Sequence, residues 1–397
     1  MKYRMNDETI DGQIASLIDL AADPATPPRD RDIIAEIIVT ALKLLRDGAD
    51  RGDMKMMNTA LKELRYSSIV FGPHRGVRKI AVYGSARTPP DLPNYRLAEE
   101  FGRRMAHDEG WMVITGAGPG IMEAVNRGAG LDASFGVNIR LPFENGANEY
   151  LSPGKVINFK YFFTRKVQFV KEADAFALFP GGWGTMDEAF ELLTLIQTGK
   201  SDMHPIVLLE AEGTDFWESW EALSDTLLAH GMIAEADKNL YAIVSTIDEA
   251  VDEVTRFFAV YHSQRFVDDL LVLRLSTDIP DELVQDLNRE FADIVTVGEI
   301  QRTAALDAEV ATDDHVMLPR LAFAFDRRSY GRLRALIDRI NGAGGAILGD
   351  GATGAILDDG ATGAILDDGA TGAILGDGAT GAIPSDGAGP PDRGAAT

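Results

Sequence analysis

The sequence lacks cysteine altogether, and its other shortages also narrow what the chain can do. Without thiols there can be no disulfides, thiolate metal sites, iron–sulfur clusters or cysteine nucleophile. Only 38 lysines and arginines face 62 acidic residues, and this net charge of −24 argues against a nucleic-acid groove and against docking on anionic lipid. No apolar run reaches the roughly 18 residues that a membrane-spanning helix needs.

The first residues also lack the apolar core of a signal peptide, because Met1–Asp7 leads into polar sequence. Together these shortages predict a soluble, cytoplasmic, acidic protein that binds neither nucleic acid nor membrane. Its 397 residues are enough for two or three domains, each with its own core.

The last part of the chain, residues 342–397, differs in composition from the rest. Five copies of a nonapeptide such as GAILDDGAT follow one another from Gly345, before an end rich in proline, glycine and alanine. Calcium-binding β-rolls also repeat glycine and aspartate, but they require a denser GGxGxD pattern. We therefore favour a disordered, low-complexity tail, rather than a calcium-binding roll, because the repeats have too little apolar surface to fold.

Three regions precede this tail. Residues 1–77 are predicted to form a helical N-terminal extension, because apolar residues recur at helical spacing across 30–45 and 53–70. Residues 78–264 alternate short apolar strands with helical segments, which predicts an α/β domain with a doubly wound, Rossmann-like parallel sheet. Residues 265–341 follow the order β-α-β-β-α, which suggests a small ferredoxin-like α+β module.

Three glycine-rich loops each lead from a predicted strand of the parallel sheet into a helix. Ligands of such sheets lie beyond the carboxyl ends of the strands, where glycine lets the backbone approach them and helix N-termini attract anions. One loop alone could be a simple tight turn, but three on one edge favour a nucleotide-sized ligand that carries phosphate. The candidate binding residues are Gly84 and Ser85 in the first loop, Gly116, Gly118, Gly120 and Glu123 in the second, and Gly181, Gly182, Gly184 and Thr185 in the third.

The third loop, Pro-Gly-Gly-x-Gly-Thr-x-x-Glu, is the most specific motif. It places Thr185 near the first helical turn and Glu188 one turn further, on the same side. A carboxylate there can accept hydrogen bonds from ribose hydroxyls or stabilise positive charge on the sugar ring. Arg165 and Lys166 open the preceding helix and bring cations toward the same edge, while Glu123 either touches the base or caps its own helix.

Together these motifs resemble the LOG ("lonely guy") proteins, a family long mislabelled as lysine decarboxylases. The stretch from Asn138 to Asn148 also looks like the larger bacterial members, and the resemblance covers about residues 30–262. LOG proteins are nucleoside 5′-monophosphate phosphoribohydrolases: they split the N-glycosidic bond of AMP or of cytokinin riboside 5′-monophosphates into a free base and ribose 5-phosphate. The resemblance implies that Arg165 and Glu188 are the catalytic pair and that the chain forms a homo-oligomer, at least a dimer.

Other interpretations of the same residues remain open. Glu188 could merely favour the helix dipole and Arg165 could form a surface salt bridge. The alternative function is a non-catalytic carrier or sensor of the same fold that binds a nucleotide or cofactor, in which neither residue would be needed. The six histidines show no metal-ligand spacing, and nothing supports a pyridoxal-binding lysine, so neither metal nor cofactor is predicted. Ala117 and Trp183 depart from the residues common in the family, which bears on substrate preference more than on the type of reaction.

Overall fold

The structure, a computed structural model, describes residues 3–140 and 146–343, and it begins with three helices. These are Glu8–Ala21 (α1), Pro28–Arg46 (α2) and Arg51–Phe71 (α3). Helices α2 and α3 match the two predicted helical patterns, and α1, whose start is capped by the Asp7 side chain, also lies in the region predicted as helical. Helices α1 and α2 share a small apolar cluster around Ile14 and Val39, whereas α3 packs on the next domain.

A parallel sheet of seven strands follows and confirms the predicted fold class. Its strands are Lys79–Tyr83 (β1), Met112–Thr115 (β2), Ser134–Ile139 (β3), Val156–Phe159 (β4), Ala175–Leu178 (β5), Ile206–Leu209 (β6) and Ala242–Val244 (β7). They lie in the order β4-β3-β2-β1-β5-β6-β7, so successive strands first extend one side of β1 and then the other. Such a reversal between β1 and β5 opens a crevice at their carboxyl ends.

Both faces of this sheet are buried, which explains why its strands are short apolar runs. Ile80 and Val82 of β1 face one apolar core, and Ala81 and Tyr83 face the other. The first core contains residues of Pro93–Arg103 (α4), Ile121–Ala129 (α5) and Ile247–Arg256 (α9). The second contains residues of α3, Phe162–Glu172 (α6), Trp183–Gln197 (α7) and Phe216–Ala229 (α8).

The C-terminal region forms a second, antiparallel sheet. Its strands are Tyr261–Val267 (β8), Leu270–Leu275 (β9), Val295–Arg302 (β10) and Arg320–Phe325 (β11), in the order β10-β11-β9-β8. Its helices are Asp281–Glu290 (α10), the short Asp307–Val310 (α11) and Tyr330–Gly342 (α12).

Strand β8 corrects one prediction from the sequence. The apolar spacing of the sequence predicts a helix from Ile247 to Tyr261, but α9 ends at Arg256 and β8 begins at Tyr261. Apart from α11, the module therefore runs ββαββα, which is the ferredoxin-like order with its last strand moved to the front. The predicted domain boundary at 264/265 lies inside this strand.

Only residues 257–260 separate α9 of the first domain from the first strand of the second sheet. The Asn341 side chain, on α12, accepts hydrogen bonds from the main-chain N–H groups of Val260 and Tyr261 and donates one to the Phe257 carbonyl. Across the described ranges, no helix is long and apolar enough to cross a bilayer. The predicted tail lies, from residue 344 onward, outside the described residues, as do residues 141–145.

Candidate active site

The three glycine loops meet at the carboxyl edge of the parallel sheet, because they follow the adjacent strands β2, β1 and β5. The backbone of Ser85 joins all three: its N–H donates to the Pro180 carbonyl at 3.1 Å, and its carbonyl accepts from the Ile121 N–H at 3.1 Å. The loops therefore form one connected surface rather than three independent turns.

Two of the predicted glycines are required by this close packing. A Cβ on Gly84 would lie 2.6 Å from the Ile121 side chain, and a Cβ on Gly120 would lie 2.3 Å from the Ser85 carbonyl oxygen. Gly120 also has a φ of +69°, which favours glycine. These glycines bring the loops together, whether or not they also contact a ligand.

The third loop presents open backbone at the start of α7. The first helical hydrogen bond runs from the Met186 N–H to the Gly182 carbonyl, and no side chain in the described part of the chain caps the start of this helix. A Cβ on Gly182 or Gly184 would meet nothing within 4 Å, so both glycines border open space. Thr185 is buried beneath them. This arrangement suits an anion with several oxygens.

Arg165 and Glu188 contact each other beside these loops. Arg165 Nη1 lies 3.3 Å from Glu188 Oε1, and the two side chains are 10% and 11% exposed. The Arg165 Nε donates to the Val137 carbonyl at 2.9 Å, which fixes the guanidinium against the end of β3. A Cβ on Gly116 would lie 2.6 Å from Arg165 Nη2, so the second loop needs glycine to admit the arginine.

Burial raises the pKa of the Glu188 carboxyl to about 7. The positive charge of Arg165 lowers this pKa and the nearby Asp187 raises it, but loss of solvent is the largest influence. A carboxyl group with a pKa near neutrality at the edge of a crevice is typical of groups that take part in catalysis.

Lys166 does not join this pair but ties α6 to α7. Its Nζ lies 2.8 Å from Asp187 Oδ1 and 3.1 Å from Glu191 Oε2. Burial alone would lower the pKa of Lys166, but these two hydrogen bonds outweigh it and the pKa is raised. Glu123 accepts a hydrogen bond from the Tyr95 hydroxyl at 3.2 Å and thereby links α5 to α4.

A residue of α3 also helps to build the site, although no motif in the sequence predicts this. Glu63 on α3 accepts hydrogen bonds from the Lys160 N–H at 2.7 Å and from the Thr164 hydroxyl at 2.6 Å. These bonds hold the start of α6, immediately before Arg165. The partners are about 100 residues apart in the chain, and no local pattern marks such a contact.

Comparison with known proteins supports the resemblance drawn from the loops. The family described as "Possible lysine decarboxylase" matches residues 121–254. The probable cytokinin riboside 5′-monophosphate phosphoribohydrolase LOG4 of Oryza sativa subsp. japonica is 28% identical over 184 residues, 45% of this chain and 77% of that protein. The phosphoribohydrolase LOG of the same plant is 29% identical over 29% of this chain, and the match spans 46% of its own length. These findings confirm the resemblance to the LOG family.

Solved structures give weaker matches. A structural-genomics target, TM1055, is 25% identical, with a TM-score of 0.34, over 45% of this chain and 99% of its own. The molybdenum cofactor binding protein of Rippkaea orientalis is 23% identical, with a TM-score of 0.32, over 45% of this chain and 96% of its own.

Proposed function

We propose, from its relationship to the LOG phosphoribohydrolases, that this protein hydrolyses the N-glycosidic bond of nucleoside 5′-monophosphates, either AMP or a cytokinin riboside 5′-monophosphate. The products are a free base and ribose 5-phosphate. The observation that supports this most directly is the contact between Arg165 and Glu188 beside three connected glycine loops.

The third loop would bind the phosphate. Its main-chain N–H groups and the Thr185 hydroxyl are donors for phosphate oxygens, and the positive end of the α7 dipole adds to the attraction. Gly181 keeps this loop close to the helix, since a Cβ there would lie 2.2 Å from Thr185 Oγ1. With the phosphate at the helix start, the ribose would extend toward Glu188, one turn further along.

Glu188 would act on the sugar. As the bond between C1′ and the base breaks, the bonding electrons leave with the base and positive charge builds on the ribose, as in glycoside hydrolysis. The ionised Glu188 carboxylate would hold the ribose hydroxyls, stabilise this charge and orient the attacking water. Water then supplies a hydroxyl to C1′ and a proton to the released base. Arg165 would fix the nucleotide and balance the negative charges.

We also propose that the protein is at least a dimer. Large apolar side chains beside the site are exposed: Phe162 is 52%, Phe163 50% and Trp183 91% exposed. They lie at the starts of α6 and α7, and apolar patches of this kind commonly mark contacts between subunits. Light scattering after size exclusion tests this, and a monomer at all concentrations would reject it. Apart from a second copy of the chain, the one partner that we propose is the nucleotide substrate. We also propose that the protein is located in the cytoplasm.

The first experiment incubates the protein with AMP, GMP, CMP and prenyladenosine monophosphate and measures the free base by chromatography. Glu188→Gln is expected to lose roughly 100- to 1,000-fold in kcat, a typical loss for one group that stabilises a transition state. Glu191→Gln, three residues further along α7, is the matched control and should keep most of the activity. Nucleotide binding without base release would instead favour the carrier or sensor.

A further inference from the structure

We infer that Asn148 is a positioning residue that holds the second glycine loop, residues 116–120, in the form that binds the ribose 5-phosphate part of the nucleotide. The inference rests on the proposed function and extends it to a residue outside the glycine motifs.

Asn148 lies beyond β3 and reaches back 31 residues to the loop. Its main-chain N–H donates to the Ala117 carbonyl at 2.9 Å. Its side-chain amide lies 3.3 Å from the Ala117 carbonyl oxygen and 3.1 Å from that of Gly118. The Asn148 Oδ1 accepts from the Tyr150 N–H at 3.2 Å, which orients the amide with its NH2 toward the loop. Two successive carbonyls are thus held by one residue.

Buried polar groups connect these hydrogen bonds of Asn148 to both ends of the loop. The Asn148 amide also donates to Asn126 Oδ1 at 3.0 Å, and the Thr115 hydroxyl donates to the same oxygen at 2.7 Å. Thr115 Oγ1 in turn accepts from the Ala117 N–H at 3.1 Å. Thr115 ends β2, Asn126 lies on α5, and both are fully buried. The loop is therefore fixed to the strand before it and to the helix after it.

The backbone conformation of Ala117 requires these hydrogen bonds. Ala117 is buried and has a φ of +67°, a left-handed conformation that is unfavourable for a residue with a Cβ. Alanine keeps such a conformation only where its surroundings impose it. The bonds from Asn148 to its carbonyl impose it here.

The hydrogen bonds from Asn148 also determine the direction in which the Gly118 N–H of the loop points. In a trans peptide the C=O and the N–H point in opposite directions, so holding the Ala117 carbonyl turns the Gly118 N–H away from Asn148. Within 3–140 and 146–343, no acceptor is recorded for the Gly118 N–H. The loop also borders the Arg165 guanidinium through Gly116. The Gly118 N–H is thereby left as a preset donor for an oxygen of the sugar phosphate.

The test compares Asn148→Ala with the wild-type protein in binding of ribose 5-phosphate, AMP and adenine by calorimetry, and in kcat and KM for AMP. Asn148→Ala should weaken ribose 5-phosphate binding and raise the KM for AMP about tenfold or more, because a charge-assisted hydrogen bond is lost. Adenine binding should not change. Asn288→Ala is the matched control, since Asn288 likewise holds a main chain, at Ile300, but in the C-terminal module.

A second substitution separates positioning from general stability. Adding Ala117→Gly to Asn148→Ala relieves the left-handed strain, so it should recover at least several-fold of the lost sugar-phosphate affinity. If Asn148→Ala does not fold, Asn148→Asp serves instead, because it keeps the shape but removes the NH2 donor. Wild-type affinity in either variant, or no recovery in the double variant, would overturn the inference.

The outcomes also separate this inference from the proposed function. A wild-type protein that binds ribose 5-phosphate but cleaves no nucleotide would reject the hydrolase, while the binding comparison would still decide the role of Asn148. A wild-type protein that binds neither sugar phosphate nor nucleotide would reject both.

Discussion

Two contacts between arginine and glutamate, in different parts of the molecule, show how one pair of residue types can serve different ends. At the edge of the parallel sheet, Arg165 and Glu188 meet through a single 3.3 Å contact and each keeps about a tenth of its side chain exposed. In the C-terminal module, Glu309 is fully buried, 2.9 Å from Arg274 Nη2 and 2.7 Å from Arg320 Nη1.

The difference lies in how many partners each carboxylate has. Glu309 Oε1 accepts from both Nε and Nη2 of Arg274, and its Oε2 accepts from the Leu306 N–H in addition to facing Arg320. A carboxylate saturated in this way has no oxygen left for a ligand, so it stabilises the module. Glu188 has one recorded arginine contact and stands beside loops that border open space. The incompletely satisfied pair is the one that we propose acts on a substrate.

The strongest test of this comparison replaces each glutamate by glutamine. Glu309→Gln should lower the free energy of unfolding by roughly 3–5 kcal/mol, because it leaves the buried Arg320 without its counter-charge and Arg274 with Asp314 alone. Glu188→Gln should instead leave stability unchanged or slightly higher, while base release is lost. Urea unfolding and the AMP assay, run on both variants, measure the two effects, and equal losses of stability would erase the distinction.

A smaller effect should follow from pH. If hydrolysis requires the Glu188 carboxylate, kcat/KM should fall about tenfold per pH unit below about 7, where the group binds a proton. Stability should respond in the opposite sense. Because the folded state binds this proton more tightly than an unfolded chain, whose glutamate has a pKa near 4.5, Glu188 favours unfolding increasingly as the pH rises from about 4.5 to 7. A flat activity profile between pH 5 and 8 would contradict this role.

The smallest effect should come from the charges around Glu188. Lys166→Gln removes a charge that lowers the pKa of Glu188, so the midpoint of the activity profile should move up; Asp187→Asn should move it down. Each shift should be on the order of half a pH unit, since Asp187 is largely exposed and surface pairs are weak. Lys238→Gln, which removes a lysine paired with Glu221 and Asp225, serves as the control. Shifts of the same sign in both test variants would contradict the electrostatic interpretation.

The sequence predicted the parallel sheet well because its strands carry a local signal. Five of the seven, including Lys79–Tyr83 and Ile206–Leu209, have the predicted bounds, since strands buried on both faces are continuous apolar runs. Strand β8 was missed because only every third of its residues is buried, a spacing that suits neither an alternating nor a continuous strand. Helix α1 lies in the region predicted as helical but had no apolar pattern of its own, because it buries only Ile14 and Ile18.

The candidate site likewise contains residues that carry a local sequence signal and residues that carry none. The glycine loops could be found because each follows its strand within a few residues, and so could Arg165 and Glu188, which the family motif marks. The bonds from Glu63 to Thr164 and from Asn148 to Ala117 could not, because they join residues that meet only in the folded chain. The sequence predicted residues that could touch a ligand, but it did not predict the residues that hold them in place.

The contacts of Asn341 constrain the order in which the two sheets can be assembled while the chain is being synthesised. Asn341 secures the end of the parallel-sheet domain through residues that precede it by about 80 positions. During synthesis, the chain from β1 to α9 emerges before α12, so the faces of α7 and of Glu235–Leu240 on which α12 packs stay uncovered until that helix has been made. Strand β8 emerges next and can pair with β9, but the bonds from Asn341 to Val260 and Tyr261 form only after α12 has been made. The contacts that α12 adds between the two sheets are therefore the last to form among the described residues.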